Sequence, residues 1–97
     1  VPDPFAIAAD LLAGVRLFES RRDRVMAVGF DAKPSPEVIA RMKAADYRWN
    51  PRDQVWVMPV RPESARTTRI EAERLFQEVS TMIRAEKGIE SSPDIPL

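Results

Sequence analysis

The segment YRWNPRDQVW, residues 47–56, constrains the fold of this chain more than any other part. YRWN and QVWVMPV are alternating segments on either side of Asn50-Pro51-Arg52-Asp53, and proline at the second position of such a tetrapeptide presets a type I turn. A β-hairpin is the economical reading. Strand parity then puts Tyr47 and Trp49 on one face of the first strand and Trp56, Met58 and Val60 on one face of the second. Pro59 has no N–H to give to a ladder and belongs on an edge or at a strand end.

The remaining elements follow from periodicity and punctuation. Asp3 and Pro4 suit a helix start, and Ala8, Leu11, Leu12, Val15 and Phe18 recur at helical spacing, so a first helix is expected over about residues 4–19. RVMAVGF, residues 24–30, reads as a strand with Met26, Val28 and Phe30 on one face, and Gly29 inside it marks a bulge or a close backbone approach. Ser35 followed by Pro36 is an N-cap and first-turn pair. The helix it opens buries Val38, Ile39 and Met42, turns Arg41 and Lys43 outward and stops near Ala45. After RPES a third helix carries Ile70, Leu75, Phe76, Val79, Met82 and Ile83 on one stripe and ends at Gly88, with Arg84 and Lys87 near its negative end. The expected fold is α+β in the order α-β-α-β-β-α, with a three-stranded sheet whose β-hairpin packs against helices, forming a single domain over residues 1–88. IESSPDIPL has two prolines and no period, so residues 89–97 are expected to be a disordered tail or linker. The opening VPDPF has no methionine, which suggests a fragment of a longer polypeptide.

Composition removes whole classes of chemistry. The 97 residues allow one modest core. They include no cysteine and no histidine, so thiolate nucleophiles, cysteine-ligated zinc and the usual imidazole base are absent. No glycine-rich phosphate loop and no nucleophile paired with a base is found, so no catalytic residue, metal ligand or cofactor is expected. No apolar run approaches the roughly 20 residues of a bilayer span. The chain reads as cytoplasmic, without membrane insertion.

Net charge is zero but uneven: −2 over residues 1–15, +5 over 16–69 and −3 over 70–97. A basic block between acidic ends bears on the choice of partner. Two features of that block are candidates for binding. Aromatic rings of the hairpin can stack nucleobases for about 1 to 3 kcal/mol each. Small-core logic instead puts both tryptophans mainly inside, with one ring buried and the other partly exposed as the intermediate case. The second feature is the arginines. Arg21, Arg22 and Arg24 precede the first expected strand, Arg48 and Arg52 flank the hairpin turn, and Arg61, Arg66 and Arg69 approach and enter the third helix. If strand ends and turns meet at one rim, these can form a phosphate-binding patch with Trp49 as its stacking ring. The competing reading is a solvated surface in which Asp23, Asp46, Asp53 and Glu63 neutralise them.

From VGFDAKPSPEVIARMKAADYRWNPRDQVWVMPV into TTRIEAERLFQEVSTMIRAEKGI, the chain resembles a small accessory module of large relaxase, primase or antirestriction-like proteins of conjugative plasmids and integrative elements. The shared pattern is a strand, a helix ending in a small residue, aromatic-x-Trp-x-Pro, a turn, a second Trp and a closing helix. It falls here on Tyr47, Trp49, Pro51 and Trp56. The same outline is similar to the HARP domain of annealing helicases. Many such sequences have glycine where this one has Asp46. The resemblance implies a noncatalytic DNA-binding role in conjugation or other mobile-element DNA processing, holding single-stranded or forked DNA for a neighbouring domain of the parent protein. The alternative is a protein-protein docking module, or a translocation signal recognised by a secretion-channel protein.

Overall fold

The structure, a computed structural model, describes residues 2–89. Five antiparallel strands and two helices follow in the order β1 (Phe5–Asp10), β2 (Val15–Ser20), β3 (Val25–Phe30), α1 (Pro36–Ala44), β4 (Arg48–Asn50), β5 (Val55–Pro59) and α2 (Ala65–Glu86), with one 3-10 turn at Pro62–Ser64. The sheet order is β1-β2-β3-β5-β4. Both the expected α-β-α-β-β-α order and the three-stranded sheet are therefore corrected, and one misreading accounts for both. Residues 4–19 form a hairpin, not a helix.

The physical reason lies in the hairpin loop, residues 11–14. Asp10 Oδ1 accepts the N–H groups of Leu12 and Ala13, both at 3.1 Å, and the Gly14 N–H reaches the Asp10 carbonyl at 2.8 Å. Gly14 takes φ +71°, the left-handed conformation that glycine adopts without a steric cost. A four-residue loop between two alternating strands happens to reproduce the i, i+3, i+4 spacing of a helix. Leu11, which a helix would bury, is instead 78% exposed at the loop tip. Asp3, expected as a helix N-cap, bonds the Ser20 hydroxyl at 2.7 Å and the Arg21 N–H at 2.6 Å.

The same device closes all three hairpins. Ser20 Oγ accepts from the Asp23 N–H, and Asn50 Oδ1 accepts from those of Arg52 and Asp53. Each loop ends on a left-handed residue: Gly14, Arg24 at φ +55° or Gln54 at φ +56°. A short acceptor side chain at the last strand residue satisfies the loop's inward N–H groups, as in an Asx turn. The hairpin around Asn50-Pro51-Arg52-Asp53 pairs Arg48 with Val57, Trp49 with Trp56 and Asn50 with Val55.

Both helices cover one face of the sheet. Val15, Leu17, Met26 and Val28 are fully buried beneath Val38 and Met42 of α1 and Leu75, Phe76, Val79 and Ile83 of α2. Ser35 caps α1 through the Val38 N–H, and its own hydroxyl donates to Glu86 at 2.6 Å. Arg41 of α1 holds Glu78 of α2, so the helices lie antiparallel. The end of α2 is a Schellman motif: the Gly88 N–H bonds the Ala85 carbonyl and the Ile89 N–H that of Arg84. Ile70, assigned to the buried stripe from sequence, is exposed. Of the tail expected over residues 89–97, Ile89 takes part in the Schellman motif, and residues 90–97 lie outside the described residues. Among the described residues no helix is long and apolar enough to cross a membrane.

Two ion pairs fasten the β1–β2 hairpin to α2. Asp10 accepts from Arg84 Nε at 2.7 Å and Nη2 at 2.9 Å, with side chains 10% and 13% exposed. Glu19, also buried, accepts from Arg69 Nε and Nη2. The hydrogen bonds from Arg84 hold the Asp10 carboxyl below its ordinary value. Because the folded value is depressed, the stabilisation is present above the unfolded carboxylate range near pH 3.9 and is lost as pH falls through the folded value. Asp10→Asn keeps the loop acceptor but removes the charge. It should cost about 2 kcal/mol at neutral pH in urea unfolding, with the gap from the parent protein closing in acid. Separately, Ser80 Oγ is buried with no hydrogen-bond partner. Ser80→Ala should raise stability by about 1 kcal/mol in the same assay.

Candidate nucleic-acid interface

Trp49 and Trp56 pair across β4 and β5 and point to the helix side of the sheet, with ring centroids 5.6 Å apart and planes tilted by 58°. Their fates differ. Trp56 sits over Val28 and is 6% exposed, whereas Trp49, one strand further out, passes beyond the reach of the helices and is 48% exposed. Of the two readings of the rings, both in the core is corrected, and the split with one ring buried and the other partly exposed is the arrangement found. An edge position and a short helix α1 explain the difference, since no element extends far enough to cover the outer ring.

Trp49 forms one wall of a groove of about 920 Å³ between the β4–β5 hairpin, the β3–α1 connection and α1. Phe30, Pro34, Ile39 and Trp56 supply the other apolar surfaces, and Tyr47 is buried among them. Burial, with the Glu71 charge as a lesser cause, pushes the Tyr47 hydroxyl up to about 12, so it remains protonated throughout the neutral range. Lys33, Lys43 and Arg48 border the groove, and their side chains make no ion pair or hydrogen bond with any described residue. The bordering carboxylate, Asp31, is held by Arg16 at 3.1 Å. A shallower hollow shares Lys33, Pro34, Ile39 and Lys43 and continues the groove over Pro36 and Ala40 of α1. An apolar slot with an accessible indole and unneutralised cations on its rim has the chemistry to take a flat, apolar-faced group attached to an anion.

The arginines named from sequence do not share one rim. The β2–β3 loop with Arg21, Arg22 and Arg24 and the β4–β5 loop with Arg52 lie at opposite ends of the sheet, because β5 runs antiparallel to β3 with Val25 opposite Pro59 and Val28 opposite Trp56. Five or six strand residues separate them by about 20 Å. At the first end Arg21, Arg24 and Arg69 line a small hollow beside the start of α2, near Arg61 and Arg66 in sequence. Several are already engaged. Arg69 is committed to Glu19, Arg21 lies 5.2 Å from the centroid of the Phe5 ring, Arg22 pairs with Asp23 and Arg52 with Asp53, the last two both at 3.5 Å. The side chains of Arg24, Arg48, Arg61 and Arg66 have no partner among the described residues.

Trp49 and Arg48 therefore lie at or beside the groove, while Lys33 and Lys43 were missed as site residues. Lys43 stood out in sequence as an outward residue of its helix. Its convergence with Lys33 depends on α1 returning to the hairpin, which no local pattern states. Among the described residues no group of three or more carboxylates gathers in a metal-binding arrangement. Comparison with models of protein families, with curated proteins and with solved structures finds no match.

The two indoles should be separable in solution. Iodide or acrylamide should quench about half of the tryptophan emission in the folded protein, and Trp49→Phe should abolish that accessible fraction. Persistence of the quenched fraction in the variant would place Trp56, not Trp49, at the surface.

Proposed function

We propose that this chain is a noncatalytic nucleic-acid-binding module that holds single-stranded or branched DNA for a neighbouring catalytic domain. The observation that carries the proposal is the groove at Trp49, where an accessible indole stands among Lys33, Lys43 and Arg48. A base that has left the duplex stack can lie against that ring while its phosphates meet the cations. A paired base would first have to be extruded, at a cost of a few kcal/mol, which favours single strands and forks. The lack of histidine and cysteine in the chain supports a noncatalytic role. The conjugative-element setting rests on the resemblance of residues 25–89 to the accessory module and is part of the proposal.

Binding should weaken with salt. With three phosphates neutralised at roughly 0.7 per contact for a single strand, the slope of log affinity against log salt should be about −2. Trp49→Ala should reduce affinity about tenfold, corresponding to roughly 1.4 kcal/mol of stacking, and Lys33→Glu with Lys43→Glu should reduce it further without unfolding the domain. Fluorescence anisotropy with a labelled single-stranded oligonucleotide at several salt concentrations measures all three. No binding at the lowest salt would overturn the proposal.

A docking role is favoured by one separate feature, the exposed Leu11 and Leu12 at the β1–β2 tip. Exposed leucines on a loop tip suit a protein surface such as a neighbouring domain or a secretion-channel component. Capture of a protein partner from nuclease-treated lysate that is lost in a Leu11→Ser, Leu12→Ser variant would favour this reading.

A further inference from the structure

The hollow that continues the groove over α1 has a lysine at each end and no acid in its lining. Pro36, Ile39, Ala40 and Lys43 stand at i, i+3, i+4 and i+7, one stripe of the helix, and Lys33 and Pro34 close it at the start of α1. Its volume is about 540 Å³. The stripe lies on the side of α1 turned away from Arg41, which holds Glu78, so α2 does not cover it. Glu37, the one carboxylate of α1, is outside the lining. Lys33 and Lys43 have no partner among the described residues.

The chain leaves the described fold beside this hollow. Ser35, between the two prolines of the lining, donates to Glu86 at 2.6 Å, which brings the last turn of α2 against the start of α1. Ile89 follows, turned back by the bond from its N–H to the Arg84 carbonyl. Residues 90–97 read ESSPDIPL, with Glu90 and Asp94, no base, and Ile95 and Leu97 on either side of Pro96. Eight residues reach up to about 26 Å at 3.3 Å each. The path needs about 20 Å: a helix width of about 10 Å to cross the start of α1, and about 10 Å along it from Pro36 to Lys43.

We infer that residues 90–97 dock in this hollow of their own chain, bringing their acids to Lys33 and Lys43 and Ile95-Pro96-Leu97 to the apolar stripe, and so compete with a single strand for the two lysines. The competition rests on the nucleic-acid reading of the groove; the docking does not. Charge favours the match, since a segment with two acids and no base meets two cations that the fold leaves unneutralised. Tethering favours this occupant over a free protein or a second copy, because a joined segment meets the hollow at an effective concentration on the order of millimolar. Pro93 and Pro96 have a fixed φ, so less chain freedom is lost on docking. The hollow does not include Trp49, whose indole stays open.

Amide proton–nitrogen NMR spectra of the whole chain read the docking, and fluorescence anisotropy with a thymidine oligonucleotide of about four nucleotides reads the competition. Two double variants separate apolar contact from charge: Ile95→Ser with Leu97→Ser, and Glu90→Gln with Asp94→Asn. Each should move the amide signals of Ile39, Ala40 and Lys43. Each should also raise affinity for the oligonucleotide about threefold or more, because a site filled by a tethered segment binds with an affinity reduced to its free fraction. Signals unmoved in both variants would overturn the inference. So would a gain in affinity confined to Glu90→Gln with Asp94→Asn, since charge acting at a distance would then account for it. Signals that move while no protein binds the oligonucleotide at low salt would support the docking and remove the nucleic-acid reading of the groove. Parent signals at Ile39 and Ala40 that shift with protein concentration would assign the hollow to the segment of a second copy and overturn the inference.

Discussion

Everything in this small domain depends on how one hairpin is held under one helix. β1 and β2 are joined to α2 by apolar packing in the middle, through Val15 and Leu17, and by a carboxylate-guanidinium pair at each end, Asp10 with Arg84 and Glu19 with Arg69. Arg69 and Arg84 stand fifteen residues apart on α2, a span of about 22 Å at 1.5 Å per residue. Opposite charges at both ends of the contact fix its register, because sliding the helix by one turn would leave two buried carboxylates without partners. Asp10 also supplies the acceptor that shapes the 11–14 loop, so the residue that forms the turn is the residue that docks it.

This arrangement has a consequence for the surface. Strand carboxylates committed inward leave the outward strand positions neutral or cationic. The exposed faces of the helices mix acids such as Glu71, Glu73 and Glu86 with bases such as Lys43, Arg66 and Arg74. The five strands thereby add no free carboxylate to the sheet surface or the groove. The zero total says nothing of this pairing, and the basic block of residues 16–69 overstates the free positive charge, since Arg69, Arg16 and Arg41 within that block are bound to acids of the fold itself.

The groove at Trp49 arises from the same economy of material. Nine residues of α1 are enough to cover Trp56 but not the next strand out. Apolar area that a larger protein would bury therefore remains at the edge, beside Lys33 and Lys43 that no acid neutralises. The β4–β5 hairpin is the clearest case of local chemistry determining local structure: Asn50 caps the loop, Pro51 begins it, and the alternating flanks pair as their parity requires.

Several features were legible in the residues themselves. Ser35-Pro36 opens α1, Gly88 closes α2, and Met26, Val28 and Phe30 share a strand face because each depends on neighbours within one turn or two strand positions. The first hairpin was not legible, because Ala8, Leu11, Leu12 and Val15 satisfy a helical period and two strands joined by a loop equally well; pairing with β3, which is remote in sequence, decides between them. The same limit governed the site. Sequence showed which side chains can stack or bind phosphate, but whether an arginine faces solvent or a buried glutamate, and which tryptophan stays uncovered, was decided by tertiary packing, since charge compensation and burial are properties of what lies across the core and not of what lies next in the chain.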